Sequence, residues 1–449
     1  MNEQHPGIKI EQLRRENEAL RQENERLKRK LERVTEEFEN YKIRHPWSVG
    51  VKHDKPYVLK SSVESRIPKK PGAKPGHPPH IRPLPQHIDE VCLVPVTRCP
   101  ECGGTELSEE VQEVRERIYE DIPVCKSLVI QLKIDRRYCR TCRKLVETPV
   151  SVVLPGARLG LRVMLVVVWF KIKLRMTEAA IPEVLYRLFG LKISEGEVIH
   201  ILSQMAEAFG PYYQRLIDEL RAASARNIDE TTWRINGGNV QLWAFVTKWV
   251  TVYTIASSRA HTVPLQVLGI KHQGVDVHDR FSAYKTLARK TGNVQQDCWT
   301  HIICDAKELV QFYAVEGAHV YQVVKDIYDR AKAYDHRGTE EDIERLFQDM
   351  AEMLDRPYQS QHCYRFVVNL LLEKENLFEF VKNPEVDGTN SAAERAIRPP
   401  VVARKISGGS RSYAGAKNYE VLLSVVQTLH QNEKNLLDHG SAILLTSHG

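Results

Sequence analysis

Apolar residues return every seven positions between Ile8 and Tyr41. Leu13, Leu20, Leu27, Val34 and Tyr41 make one seam; Ile10, Asn17, Asn24, Leu31 and Phe38 make the other. Heptads of this kind, with Asn at two core positions, predict a parallel two-stranded coiled coil over residues 1–44. The charged positions between the seams are its solvated face. The period then stops. Residues 45–90 carry Lys69, Lys70, Pro71, Gly72, Ala73, Lys74, Pro75, Gly76 and His77 in sequence, and the prolines exclude a regular helix or central strand. That stretch reads as a stiff linker or as a basic arm lying along DNA phosphates.

Helical spacing resumes over 151–222. Thr177–Leu188, a break at Phe189–Ser194, and Glu195–Phe209 have the outline of a helix-turn-helix. Ser194 with Glu197 three residues on predicts a capping box. The second helix carries no Arg or Lys, which favours helical packing over groove reading. From 223 the pattern alternates. Arg226–Trp233, Val240–Val246 and Trp249–Ile255, joined by short turns, predict an antiparallel meander. Gly274–His278 follows as a short strand leading to a helix near Ser282. Tyr321–Tyr334, Thr339–Leu354 and Tyr364–Phe380 read as amphipathic helices, so 310–385 is a helical insertion. Ser391–Ile397 is a good helix-forming run, with Asn390 at the N-cap position and Pro399 ending it. Asn418–Gln431 closes the fold, and the tail 435–449 shows little pattern.

Composition adds three things. With 449 residues the chain has room for several domains, and a net charge of +6 makes clusters of base more telling than the total. The N-terminus is polar, without a signal-peptide pattern, and the most apolar run, Val163–Phe170, is too short to span a bilayer. These features predict a cytoplasmic protein with no membrane partner. The cysteines number nine, and four of them stand in two C-x-x-C units, Cys99/Cys102 and Cys139/Cys142. Paired thiolates in two such turns suit one tetrahedral Zn²⁺, and predict a zinc ribbon over 91–150 with strand at Leu128–Asp135. Cys92 and Cys125 read as buried apolar residues.

Three acids stand out against this frame. Asp229 lies on the first strand of the meander, Asp279 follows the fourth strand, and Glu394 lies on the later helix beside Arg395 and Arg398. Glu394 alone fits a salt-bridged surface helix as readily as a metal ligand. Acid on strand one, acid after strand four and acid on a late helix is the plan of an RNase H-like core. There, three carboxylates hold two Mg²⁺ ions about 3.5–4 Å apart.

The segments NIDETTW, DRFSAY, CWTH and TNSAAERAIRP, followed by ARKISGGSRS, resemble the insertion-sequence-66 family of bacterial DDE transposases. The resemblance implies Asp229, Asp279 and Glu394 as the catalytic triad, holding two Mg²⁺ that Mn²⁺ can replace. It implies hydrolysis at the ends of a mobile element and transfer of the freed 3′-hydroxyl into target DNA. Cys298 and His301 match a Cys-x-x-His that follows the second acid in many DDE transposases; with Asn390 they are expected to support the site. Lys69, Lys70, Lys74, Arg395, Arg398, Arg404, Lys405 and Arg411 are the expected contacts to double-stranded DNA, both element ends and target. Further partners are a second copy, as homodimer or higher oligomer through the coiled coil, and helper proteins of the same element. The place is the bacterial cytoplasm, at the nucleoid.

The expected architecture is multidomain α+β. It comprises the coiled coil 1–44, the basic Pro/Gly-rich linker 45–90, the zinc ribbon 91–150 and a helix-turn-helix-like DNA-binding region 151–222. The RNase H-like core follows in two parts, 223–309 and 386–434, around the insertion 310–385, and the tail is 435–449. Two alternatives share these features: a catalytically silent DNA-binding regulator, and a structure-selective nuclease of the same fold.

Overall fold

The computed structural model describes residues 83–447 apart from Pro149, together with Glu18 and Glu25, which are helical and exposed. The coiled-coil seams and Lys69, Lys70 and Lys74 lie outside the described residues. The chain divides into two units, residues 1–119 and 120–449.

In the first unit, residues 83–119 carry no helix or strand. A tight turn holds Cys99: its N–H donates to Gly104 O, and Gly103 N–H donates to Cys99 O. Cys92 is exposed there.

The second unit begins without helix or strand. The strand expected at Leu128–Asp135 is absent, and Leu128, Val129 and Ile130 are exposed; a stretch with no ladder partner is not a strand. Cys125, also expected inside, is exposed in the same stretch. A hairpin follows, β1 (Arg136–Cys139) and β2 (Lys144–Glu147). Then come α1 (Leu161–Val168), which continues into a π-helical turn at Trp169–Lys173, α2 (Ala180–Phe189), α3 (Glu195–Ala208) and α4 (Gly210–Ala222). The capping box at Ser194 and Glu197 is present, both reciprocal bonds made.

The sheet-forming part contains β3 (Ala225–Ile235), β4 (Gly238–Val246), β5 (Thr251–Ala256), α5 (Thr262–Leu268), β6 (Val275–His278), α6 (Ser282–Thr291) and β7 (Val294–Asp297). Helices α7 (Trp299–Phe312), α8 (Ala314–Ala333), α9 (Glu340–Leu354), α10 (Gln361–Leu372) and the short α11 (Glu379–Lys382) follow, the last four within the stretch 310–385 expected to be helical. The single helix expected over Tyr364–Phe380 is broken at Glu373, which turns inward to pair with Arg280 and Lys285. The chain ends in α12 (Ser391–Ser407), α13 (Tyr413–Gln431) and α14 (Leu436–Ser447). The tail is therefore helical, and it buries Leu436 and Leu444 in the main core. Its few apolar residues had no visible partner until α1 was in place.

The unit is mixed α+β, and central to it is a five-stranded sheet with parallel and antiparallel pairs. Its order is β5-β4-β3-β6-β7, with β3 antiparallel to β4 and parallel to β6. One apolar cluster joins α1–α4 to β3–β5 and α12–α14, and a second joins β6 to the insertion helices. So the sheet is covered on both sides, and even its short strands are buried.

The open edge of β5 is closed by helix side chains. Thr428, Ser424 and Glu420, one turn apart on α13, accept the N–H groups of Thr251, Tyr253 and Ile255. These three buried polar side chains take the place of a sixth strand.

Pro399 does not end the last acid-bearing helix. α12 runs on through Pro399 and Pro400 to Ser407. A proline cannot donate to the carbonyl four residues back. The carbonyl that Pro400 leaves unserved is Ala396 O, and Tyr253 Oη donates to it at 2.8 Å. Packing against the sheet thus repairs the break that the local sequence predicts.

Candidate active site

Parallel pairing of β3 with β6 ends at Asn227 and Val277. Extended by two residues, that register sets Asp279 level with Asp229. Past Asn227 the β6 side of β3 is taken over by Asn390, whose Nδ2 donates to Ile228 O at 2.9 Å. Asn390 Oδ1 accepts from Asn227 Nδ2 at 3.1 Å. The expected side-chain N-cap is therefore absent. The fully buried amide is spent instead on tying the start of α12, and with it Glu394, to the strand that carries Asp229.

Asp279 sits where β6 gives way to α6. Its Oδ1 accepts the Phe281 N–H at 3.0 Å, a turn that shapes the entry to the helix. Its carbonyl lies 2.5 Å from His278 Nδ1, whose other nitrogen meets Gln295 Oε1. The His278 ring stacks on Tyr284 with centroids 4.3 Å apart. Tyr284 Oη donates to Glu230 at 2.6 Å, and Arg259 pairs with the other Glu230 oxygen at 2.5 Å. Sequence reasoning missed Glu230 and His278 as parts of the site. Their neighbours in the chain, Asp229 and Asp279, were the available signal.

The three acids act on one another electrostatically. Burial pushes the Asp229 carboxyl up to about 7, and the charges of Glu230, Asp279 and Glu394 add to this against the Glu230 N–H. Glu230 has its Arg partner. Among the described residues, Asp229 and Asp279 have no Lys or Arg ion pair, and Glu394 has only His301, 3.9 Å away. Partly buried like charges without a Lys or Arg partner fit divalent cations, so Asp229, Asp279 and Glu394 are residues that could hold Mg²⁺.

Cys298 begins α7 at the meeting point of these elements. Its N–H donates to His278 O, and its sulfur accepts the Asn390 N–H at 3.1 Å. Burial raises its thiol, but the nearby His301 imidazole and the Asn390 and His301 amides outweigh this and hold it below its ordinary value. The Cys298 sulfur in turn raises His301 to about 9 against burial, with Glu394 and Asp279 adding to the rise.

Asp276, three residues before Asp279, faces elsewhere. It is fully buried and spends itself on Arg226 Nε at 3.1 Å, His272 Nε2 at 3.0 Å and Asn293 Nδ2 at 3.2 Å.

Arg395, Arg398, Lys405 and Arg411 are exposed on α12 and the loop after it, and Arg404 is half-buried. Arg404 Nη1 is buried without a hydrogen-bond partner among the described residues. The Gly408-Gly409-Ser410 loop is clamped to the end of β3: Ser410 N–H donates to Arg234 O, and Ser410 O accepts from Asn236 N–H. At Gly409 a Cβ would stand 2.5 Å from Arg234 O, and φ is +104°, so both space and backbone require glycine.

The C-x-x-C turns are each formed in their own unit. Cys102 and Glu101 amides point at Cys99, and Cys142 and Thr141 amides at Cys139; hydrogen bonds to the sulfur hold both thiols below their ordinary value.

The sequence profile of the Transposase IS66 family matches residues 160–418. An uncharacterised protein of Sinorhizobium fredii (strain NBRC 101917 / NGR234), y4hP, is 23% identical over 421 residues, covering 83% of this chain and 73% of that protein. No helix among the described residues is long and apolar enough to cross a membrane.

Proposed function

Because the chain belongs to the Transposase IS66 family, we propose that it is a DNA transposase whose catalytic groups are Asp229, Asp279 and Glu394. The observation that carries this reading is the convergence of these carboxylates, none with a Lys or Arg partner among the described residues, from β3, the end of β6 and the first turn of α12. The strand order and the placement of the acids favour an RNase H-like core with a helical insertion.

Asp229, Asp279 and Glu394 would hold two Mg²⁺ ions, for which Mn²⁺ can stand in. When bound, these ions lower the pKa of the attacking hydroxyl and neutralise charge on the phosphate. The chain's own contribution is placement. Asn390 and Cys298 fix the start of α12 against β3 and β6. His278 fixes the main chain of Asp279, and Arg259 with Tyr284 takes up the charge of Glu230, leaving Asp229 as the reactive neighbour. The acids position; they do not attack, and no covalent protein–DNA intermediate is required. Water would first free a 3′-hydroxyl at the element end, and that hydroxyl would then attack target DNA in line.

Arg395, Arg398, Arg404, Lys405 and Arg411, with Lys69, Lys70 and Lys74, would contact phosphates of element ends and target. The four paired cysteines would hold one structural Zn²⁺, and the heptads would join two copies. Helper proteins of the same element complete the expected partners.

The test is Mg²⁺-dependent 3′-end nicking and strand transfer of a labelled element end. Asp279→Asn should abolish both while leaving DNA binding and circular dichroism unchanged. Binding without any cleavage by the unaltered protein would favour a regulator, and cleavage without strand transfer would favour a nuclease.

A further inference from the structure

We propose that Cys298, His301 and Glu394 form a binding site for a thiophilic divalent cation of the Zn²⁺ class, sharing Glu394 with the acid cluster. The assignment of Glu394 to that cluster rests on the reading above. The three donor atoms, a thiol sulfur, an imidazole nitrogen and a carboxylate oxygen, all lie within 4.8 Å of one another. They come from two helix starts that are already fastened together. Cys298 and His301 are three residues apart at the beginning of α7, on one face. Glu394 is in the first turn of α12, and the Asn390 N–H to the Cys298 sulfur joins the two.

One atom in this group has no hydrogen bond of acceptable geometry. His301 Nδ1 is buried without a hydrogen-bond partner among the described residues. It lies 3.9 Å from Glu394 Oε1, too far for a hydrogen bond. Two tetrahedral ligands at Zn–N and Zn–O lengths of about 2.1 Å stand roughly 3.4 Å apart. A shift of a few tenths of an ångström therefore suffices for one ion to sit between them. Sulfur and imidazole select Zn²⁺ over Mg²⁺, which prefers oxygen ligands. Three protein ligands leave the fourth position to water or a phosphate oxygen, an open site and not a closed structural one. The Cys-x-x-His spacing supplied only two ligands; the fold supplies the third.

A consequence follows for Mg²⁺-dependent chemistry. An ion held here withdraws a Glu394 oxygen from the acid cluster, so Zn²⁺ suppresses cleavage. Loading also releases the proton that the Cys298–His301 pair holds.

The test uses full-length protein carrying one Zn²⁺ per chain, enough for the four paired cysteines alone, titrated with Co²⁺ in the absence of DNA. One equivalent should bring up a thiolate-to-cobalt charge-transfer band. Cys298→Ser should lose the band. His301→Gln and Glu394→Gln should need at least about tenfold more Co²⁺ to reach it. A triple variant, Cys92→Ser, Cys125→Ser and Cys304→Ser, removes exposed thiols and should keep the band. The site is overturned if no band forms, if Cys298→Ser keeps it, or if the triple variant loses it. Should Cys298→Ser misfold by circular dichroism, His301→Gln decides: unchanged Co²⁺ affinity there overturns the site. The band reports the ion site alone and DNA nicking reports the transposase reading, so either can fail without the other.

Discussion

Replacing Asp229 with Asn should stabilise the metal-free protein at alkaline pH while ending DNA cleavage. The Asp229 carboxyl is pushed from its ordinary 3.8 up to about 7. Folded protein therefore binds that proton more tightly than the unfolded chain does. Its contribution is intact below about pH 4, falls as pH rises, and is fully lost above about pH 7. At about 1.36 kcal/mol per unit, the ionised carboxylate costs the fold about 4 kcal/mol at pH 8, and under half of that at pH 5. Asn keeps the shape and can still accept the Glu230 N–H that bonds Asp229 at 2.8 Å. It remains a buried polar group, so the net gain should be roughly 2–4 kcal/mol. Thermal unfolding in chelator at pH 5 and pH 8 measures this. The variant should melt several degrees higher at pH 8, with the gap reduced by more than half at pH 5. Added Mg²⁺ should raise the melting point of the unaltered protein far more than that of the variant. An Asp229→Asn protein that melts at or below the unaltered one at pH 8 would refute the reasoning.

Three further outcomes are expected. Asp276→Asn leaves the Arg226 guanidinium buried beside a neutral amide, and should cost about 3–5 kcal/mol in urea unfolding; a loss below about 1 kcal/mol would reject a structural role. Cys139→Ser with Cys142→Ser should release one Zn²⁺ per chain, and unchanged zinc by elemental analysis would sink the ribbon. Arg404→Ala with Lys405→Ala should weaken DNA binding and lower the slope of log affinity against log salt by roughly 2, which a salt titration reads directly.

The sequence carried the sheet because alternation in β3, β4 and β5 is a local property, and it carried the capping box at Ser194 for the same reason. It missed what depends on a distant partner. The Pro399–Pro400 pair reads as a helix stop until Tyr253 is there to serve Ala396 O, the carbonyl that Pro400 leaves free. The tail reads as nothing until α1 offers its apolar face. Leu128–Asp135 has strand composition but no strand to pair with. Asn390 reads as a cap, and its use as a brace between α12 and β3 needs both elements in place. Glu230 and His278 escaped for a related reason: what they hold lies across the fold, not beside them in the chain.

The two acids of the β6 region show what separates a structural carboxylate from one kept for chemistry. Burial does not separate them, since Asp276 is the more deeply buried. Alternation gives only part of the answer: Val275 and Val277 face the insertion helices, so Asp276 faces the other side of the strand. Charge compensation is the sharper criterion. Asp276 has Arg226, His272 and Asn293 around it, so its ionised form is already matched inside the fold. Asp279 has one backbone N–H and no Lys or Arg ion pair among the described residues, and it stands just beyond the carboxyl end of β6. Ligand sites in sheets of this kind gather outside the carboxyl ends of strands, where side chains leave the ladder and face a crevice. A fold that sets a guanidinium, an imidazole and an amide around one aspartate and leaves the other without a Lys or Arg has placed the cost of a like-charge cluster where a cation can remove it.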